Sequence, residues 1–245
     1  MEIIKDIFYT NRKVTKNAIE SLYKNWIIIF TGLFYSIAII ILSMLLPHFW
    51  ILAGLVHIIF SSALVSNYLY LISCIIRKNK FGLQDFKDGF TVYLRKVWGV
   101  MFIAWVASLI FNTFLTPFFR GMAIGLIINV VVLIVLNAIP EVIYQKHYNP
   151  WETITYTVEF VKDNWIEWFA PNLILLGVLY FLTGSLLTGI YFFLQSLRII
   201  FQSPIGLILF ILGQVWLSFT MIYRGYLFEI LSTSNRRKRL FMREF

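Results

Sequence analysis

The sequence predicts an all-α, polytopic membrane protein. Six transmembrane helices form three hairpins, and a cytoplasmic amphipathic helix in the membrane interface precedes each hairpin. Three observations predict this. Of 245 residues, 60% are hydrophobic and only 13% charged, against about 25% charged in soluble domains. The charges gather at borders and leave long uncharged runs. A basic residue followed by tryptophan also closes a short amphipathic stretch three times: Lys24-Asn25-Trp26, Arg95-Lys96-Val97-Trp98 and Lys162-Asp163-Asn164-Trp165.

No Asp, Glu, Lys or Arg occurs from Asn25 to Ile76, from Val97 to Phe119, from Gly121 to Pro140, from Trp168 to Leu197 or from Ile199 to Tyr223. A helix needs about 20 apolar residues to cross the hydrocarbon core. The first run holds two crossings, with Pro47-His48 as the turn, and each other run holds one. The predicted spans are 26–46, 49–76, 97–119, 121–143, 168–195 and 204–228. Buried helices of soluble proteins are shorter and keep a polar stripe. Barrel strands read as alternating segments of about ten residues. Neither pattern fits. The first apolar segment follows charges of both signs and lacks a small-residue cleavage site, so it reads as a retained span and not as a signal peptide.

The stretch before each odd-numbered span has helical periodicity. Val14, Ala18, Leu22 and Trp26 form the first apolar face; Phe86, Phe90, Leu94 and Val97 form the second. Trp151, Ile154, Val158, Val161, Trp165 and Trp168 form the third. That helix starts with Asn149 as cap, Pro150 in the first turn and Glu152 completing a capping box. Such helices lie in the interface, with bordering tryptophans in the aromatic belt.

The units suggest an internal repeat over 10–80, 84–146 and 149–231 within a single transmembrane domain, 1–245, ending in a basic tail, 232–245. Each hairpin holds a proline (Pro47, Pro117, Pro204), and a polar residue lies about twenty positions beyond each: Asn67, Asn137 and Arg224. The third unit is longer, with the excess at 191–203.

Six spans place both termini on one side. That side holds nineteen of the twenty-one Lys and Arg residues, all but Arg120 and Arg198, so the positive-inside rule makes it cytoplasmic. The net charge of +9 is therefore mainly a topology signal, with some attraction for anionic lipid at the cytoplasmic face. The basic residues are dispersed at membrane borders, which speaks against nucleic acid as a partner. The Arg236-Arg237-Lys238-Arg239 tail reads first as a stop-transfer anchor. The single cysteine, Cys74, supports neither a disulfide nor a metal framework and reads as a packing residue.

Ionisable groups within membrane segments are functional candidates because burying them is costly. The candidate substrate-binding set is Asn67, Asn137, Glu141 and Arg224. The repeat would place Asn67, Asn137 and Arg224 at equivalent positions, meeting at a pseudo-threefold axis near the cytoplasmic boundary, with Glu141 as partner for Arg224. The alternative is separate interfacial side chains with local partners. Pro140 removes a backbone donor and either bends or ends the fourth span. Gly121-x-x-x-Gly125 would permit close helix packing, and His57 reads as a packed neutral side chain. No HExxH, GxSxG, P-loop or EF-hand loop occurs. No catalytic residue, metal or cofactor is therefore expected.

Phe86-Lys-Asp-Gly-Phe90 with Arg95-Lys-Val-Trp-Gly99, Pro140-Glu-Val-Ile-Tyr144, and Pro150-Trp-Glu through Val161-Lys-Asp-Asn-Trp165 together resemble a loose group of bacterial six-helix membrane proteins. The group comprises the YciC-like proteins and the membrane domain fused to some glycerophosphodiester phosphodiesterases. The resemblance implies a helical, lipid-related membrane module and carries over no catalytic residue. Mitochondrial carriers differ in order, because they place the amphipathic helix between the two spans of each pair. The leading expectation is a non-enzymatic protein handling a lipid or small solute, or a membrane subunit of a transport assembly with a separate ATPase. The alternative is a scaffold recognising a membrane-protein partner within the bilayer.

Overall fold

The computed structural model describes residues 2–111, 113, 124–183 and 205–234. Every described element is helical. In chain order these are α1 (Glu2–Lys24), a 3-10 segment (Trp26–Phe30), α2 (Thr31–Leu45), a second 3-10 segment (Leu46–Leu52) and α3 (Ala53–Lys78). There follow α4 (Leu83–Val92), α5 (Leu94–Ile110), α6 (Ile124–Val135), α7 (Ile139–Gln145), α8 (Pro150–Thr183) and α9 (Gly206–Thr233). Pro117, Arg120, the start of Gly121-x-x-x-Gly125, Arg198, Pro204, the excess at 191–203 and residues 235–245 of the basic tail lie outside the described residues.

Among the described residues, three helical stretches are long and apolar enough to cross a membrane: Trp26–Lys78, Pro150–Leu182 and Gly206–Thr233. A fourth is added if α4 and α5, bent by 41°, count as one span. The first stretch has 53 residues and folds back on itself. Tyr35 on α2 donates a hydrogen bond to Asn67 on α3, and the Tyr35 and Tyr68 rings meet edge to face at 6.1 Å. A straight helix would hold those residues roughly 48 Å apart at 1.5 Å per residue. The reversal runs through the second 3-10 segment, which contains Pro47. There Trp50 takes φ 44, ψ −113, close to the first central position of a type II′ turn, where glycine is the usual residue.

The helices α8 and α9 also run antiparallel. Phe160 meets Phe228 at 4.5 Å between ring centroids, and Trp216 donates to the Leu175 carbonyl at 2.9 Å. Asn11 accepts from Tyr223 and Ser21 pairs with Tyr226, both at 2.8 Å, which docks α1 on the C-terminal half of α9. The buried stripe of α1 is Asp6, Thr10, Val14, Ala18, Ser21 and Asn25, the spacing of one helix face. The sequence placed Leu22 and Trp26 on that face, but polar bonding from Ser21 turns it, and Trp26 is 57% exposed.

Each amphipathic stretch leaves its apolar stretch at a residue outside the helical basin. These are Asn25 (φ −120, ψ 35), Tyr93 (φ −106, ψ 3) and Asn164 (φ −122, ψ 21). The Asn25 and Asn164 side-chain amides donate to the carbonyls four residues earlier, at 2.9 and 3.1 Å, and the Ser21 carbonyl also accepts from the Asn25 backbone N–H at 3.0 Å. The Tyr93 amide is taken by Ser66 of α3 at 2.9 Å. The third amphipathic stretch is therefore continuous with the fifth predicted span, interrupted only by the kink at Asn164. Its capping box is present: Glu152 N donates to Asn149 Oδ1 at 2.8 Å, and Asn149 N to Glu152 Oε2 at 3.1 Å.

The packing of α4 on α3 requires Gly89. A Cβ there would lie 3.2 Å from the Asn67 Cα, and Ser66 donates to the Gly89 carbonyl at 2.7 Å. Gly89→Ala should lower stability by about 1–3 kcal/mol through forced separation of α3 and α4, read as a fall in melting temperature in detergent. Trp50→Gly should raise that temperature, since relief of a strained backbone is worth about 1–3 kcal/mol; an unchanged or lower value would show that the turn stores no strain.

Candidate functional site

The fourth predicted span, 121–143, is divided. Helix α6 stops at Val135 and α7 starts at Ile139. Pro140 accounts for the break. It has no N–H to offer the Leu136 carbonyl, which accepts from Ile139 at 3.2 Å in a tighter turn. Pro140 lies in the first turn of α7, where a missing N–H costs nothing. Glu141 follows in that same first turn, where the helix dipole favours a carboxylate.

Glu141 is 0% and Arg224 3% exposed. Arg224 Nε donates to Glu141 Oε1 at 2.8 Å and Nη2 to Glu141 Oε2 at 3.0 Å, the bidentate fork that guanidinium and carboxylate geometry favours. The same Nη2 donates to the Asn137 carbonyl at 2.7 Å. The guanidinium lies over the Trp168 ring, 5.1 Å from its centroid, and Trp168 Nε1 donates to Asn137 Oδ1 at 3.1 Å. Four residues from α7, α8, α9 and the break before α7 thus close into one ring. Trp168 is itself buried among Phe160 and Phe228.

Of the four residues singled out by sequence, the structure joins Asn137, Glu141 and Arg224. Asn67 bonds elsewhere. Its Oδ1 accepts from Tyr35 and its Nδ2 donates to the Phe86 carbonyl, so it ties α2, α3 and α4 together. Equal spacing from the prolines placed these residues at similar heights, but height alone does not bring side chains together. The sequence reading treated Trp168 as one face of an amphipathic helix and missed its role over the guanidinium. It also passed over the buried Ser61, Asn172, Gln214 and Thr220. Single polar residues within uncharged runs were the available signal for these.

Asn172 lies one turn beyond Trp168 on α8, and Thr220 one turn before Arg224 on α9. Asn172 Oδ1, Thr220 Oγ1, Ser61 Oγ and His57 Nδ1 are buried atoms with no hydrogen-bond partner among the described residues. Among those residues no group of three or more His, Cys, Asp or Glu side chains could hold a metal ion. Cys74 is buried, with its thiol 3.5 Å from Asp85 Oδ1.

The class defined by these observations is a helical protein with several apolar helices long enough to span a membrane and a charged pair buried among them. Compared with known proteins, the chain matches no family model, no curated protein and no solved structure.

Removing one partner of a buried ion pair leaves an uncompensated charge and costs about 3–5 kcal/mol. Arg224→Leu and Glu141→Leu should each lower the melting temperature in detergent strongly, and the double variant should regain most of the loss. Charge reversal gives a second check: Glu141→Arg should impair the fold, and Glu141→Arg with Arg224→Glu should restore it. A wild-type melting temperature for Glu141→Arg alone would show that the pair does not hold the helices together.

Proposed function

We propose that this is a non-enzymatic, multi-pass protein of the cell membrane that handles a lipid or a small polar solute, alone or as the membrane subunit of a transport assembly. The observation that carries the reading is the set of buried polar atoms without hydrogen-bond partners among the described residues, Ser61 Oγ, Asn172 Oδ1 and Thr220 Oγ1, within apolar helices. In hydrocarbon each unpaired group costs several kcal/mol. Polar residues at membrane depth face the bundle interior or a hydrated route. Water or a passing solute would meet these oxygens at low cost. The ion pair commits Arg224 Nε and Nη2 to Glu141 and Asn137, and in this reading it acts as the frame beside the route.

In this reading the chain has six spans in three hairpins, with both termini cytoplasmic. Several contacts support a common side for the starts of odd spans and the ends of even ones. Asn25 before α2 bonds the Asn79 carbonyl after α3 at 3.0 Å. Lys96 of α5 bonds the Ile143 and Lys146 carbonyls at 2.8 and 2.6 Å. Lys146 lies over the Tyr156 ring of α8. The three similar junctions at Asn25, Tyr93 and Asn164 support the internal repeat. The outward Trp26, Trp151 and Trp165, each more than half exposed, suit interfacial helices against lipid, including anionic lipid on the basic side. The resemblance to YciC-like proteins points to a lipid-related role.

Cysteine accessibility tests the reading. With Cys74→Ser as background, Asn172→Cys and Thr220→Cys in proteoliposomes should react with a small water-soluble thiol reagent, while a control at lipid-facing Ile208 should not. Uniform protection at 172 and 220 would remove the hydrated route. With a membrane-impermeant reagent, Thr233→Cys should be labelled from one side and Trp50→Cys from the other; labelling from the same side would overturn the three-hairpin topology.

A further inference from the structure

The C-terminal ends of α3, α7 and α9 enclose a cavity of about 170 Å³, one turn away from the ion pair and separate from it. Its polar lining includes Ser73 and Arg77 from α3, Gln145 and Lys146 at the end of α7, and Glu229 and Thr233 from α9. Arg77 is anchored, since its Nη2 donates to the Tyr144 carbonyl at 2.9 Å. Lys146 is half-buried, with its ammonium over the Tyr156 and Phe228 rings at 5.5 and 5.9 Å, and burial lowers its pKa. Neither cation forms an ion pair among the described residues, and nor does Glu229. The side chains of Thr233 and Gln145 donate to the Glu229 and Gly225 carbonyls, at 2.6 and 2.8 Å, which holds the rim in place.

The charge balance decides what fits. Arg77 and Lys146 outweigh Glu229 by one positive charge, and Lys96, bonded to the Ile143 and Lys146 carbonyls at the α7 end, adds a second just behind the lining. Three helix C-termini each bring roughly half a negative charge. The lining is therefore close to neutral but strongly divided, with cations at the α3 and α7 ends and the carboxylate on α9. A bare anion would meet Glu229 and the helix ends; a bare cation would meet Arg77 and Lys146. A group carrying both signs satisfies both walls.

We propose that this cavity binds a phosphate joined to an ammonium, the chemistry of a phosphoethanolamine headgroup, with Arg77 and Lys146 on the phosphate and Glu229 on the ammonium. The chemistry can come from a membrane lipid or from free O-phosphoethanolamine. The inference rests on the membrane placement proposed above for the lipid source only; the soluble source stands or falls without it.

The test uses the full-length protein in uncharged detergent, with lipid retention read by native mass spectrometry. Wild type should retain phosphatidylethanolamine over phosphatidylglycerol. Lys146→Gln should weaken retention of phosphatidylethanolamine about tenfold, the loss of one charge-assisted bond. Glu229→Gln, at an exposed position, should reverse the preference toward phosphatidylglycerol, which a loss of folding would not do. Arg77→Gln should resemble Lys146→Gln; if it fails to fold, the other two variants decide. Competition by free O-phosphoethanolamine supports recognition of the headgroup from either source, and retention without competition supports the lipid source. Equal retention of the two lipids, unchanged by Lys146→Gln and Glu229→Gln, overturns the proposal. Failure of the thiol-accessibility experiment at 172 and 220 would leave this outcome untouched.

Discussion

A charge held away from water must be matched where it lies, and the bidentate pair between Arg224 and Glu141 is the constraint on which the surrounding packing depends. Its two ends sit on different helices, α9 and α7, and the ring of bonds includes Asn137 and, through it, Trp168 of α8. Between apolar helices in lipid there is little hydrophobic drive to associate, because lipid tails are as apolar as leucine. Association then rests on close packing and on polar bonds such as these. The pair fixes the rotation of α9, which in turn sets where Tyr223 and Tyr226 meet α1.

The far side of the bundle is organised by a neutral counterpart. Asn67 joins α2 and α3 through Tyr35 and docks α4 through the Phe86 carbonyl. Ser66 holds the Gly89 carbonyl and the Tyr93 amide with one hydroxyl, so α4 and the bend into α5 are set by two adjacent residues of α3. Gly89 lets the backbones come close enough for this. The short polar side chains of α3 thus do locally what the ion pair does across three helices.

Much of this was legible in the sequence. Uncharged runs and border charges gave helical, apolar stretches because hydrocarbon permits little else. Asn149, Pro150 and Glu152 gave the start of α8, since capping is a local matter. The sequence offered Glu141 as partner for Arg224 because few ionisable groups lay in these segments, but it did so through an axis that was also to gather Asn67, and Asn67 bonds elsewhere. Other features were not legible. Pro140 signalled either a bend or an end, and only the packing of α9 against the break shows which carbonyl is used. Asn67 shared a spacing with Asn137 and Arg224, yet spacing fixes height and not azimuth. Which face of α1 turns inward depended on Tyr223 and Tyr226, some two hundred residues away.

The break before α7 bears on biogenesis. Glu141 and Arg224 are 83 residues apart, so at about 5–20 residues per second the carboxylate is made roughly 4–17 s before its partner. Through that interval α7 has an interrupted backbone ladder and an uncompensated acid. Both are tolerated in water or at the headgroup level and neither in hydrocarbon. A nascent chain therefore has reason to keep this segment shallow until α9 arrives, which makes α9 the step that seats α7.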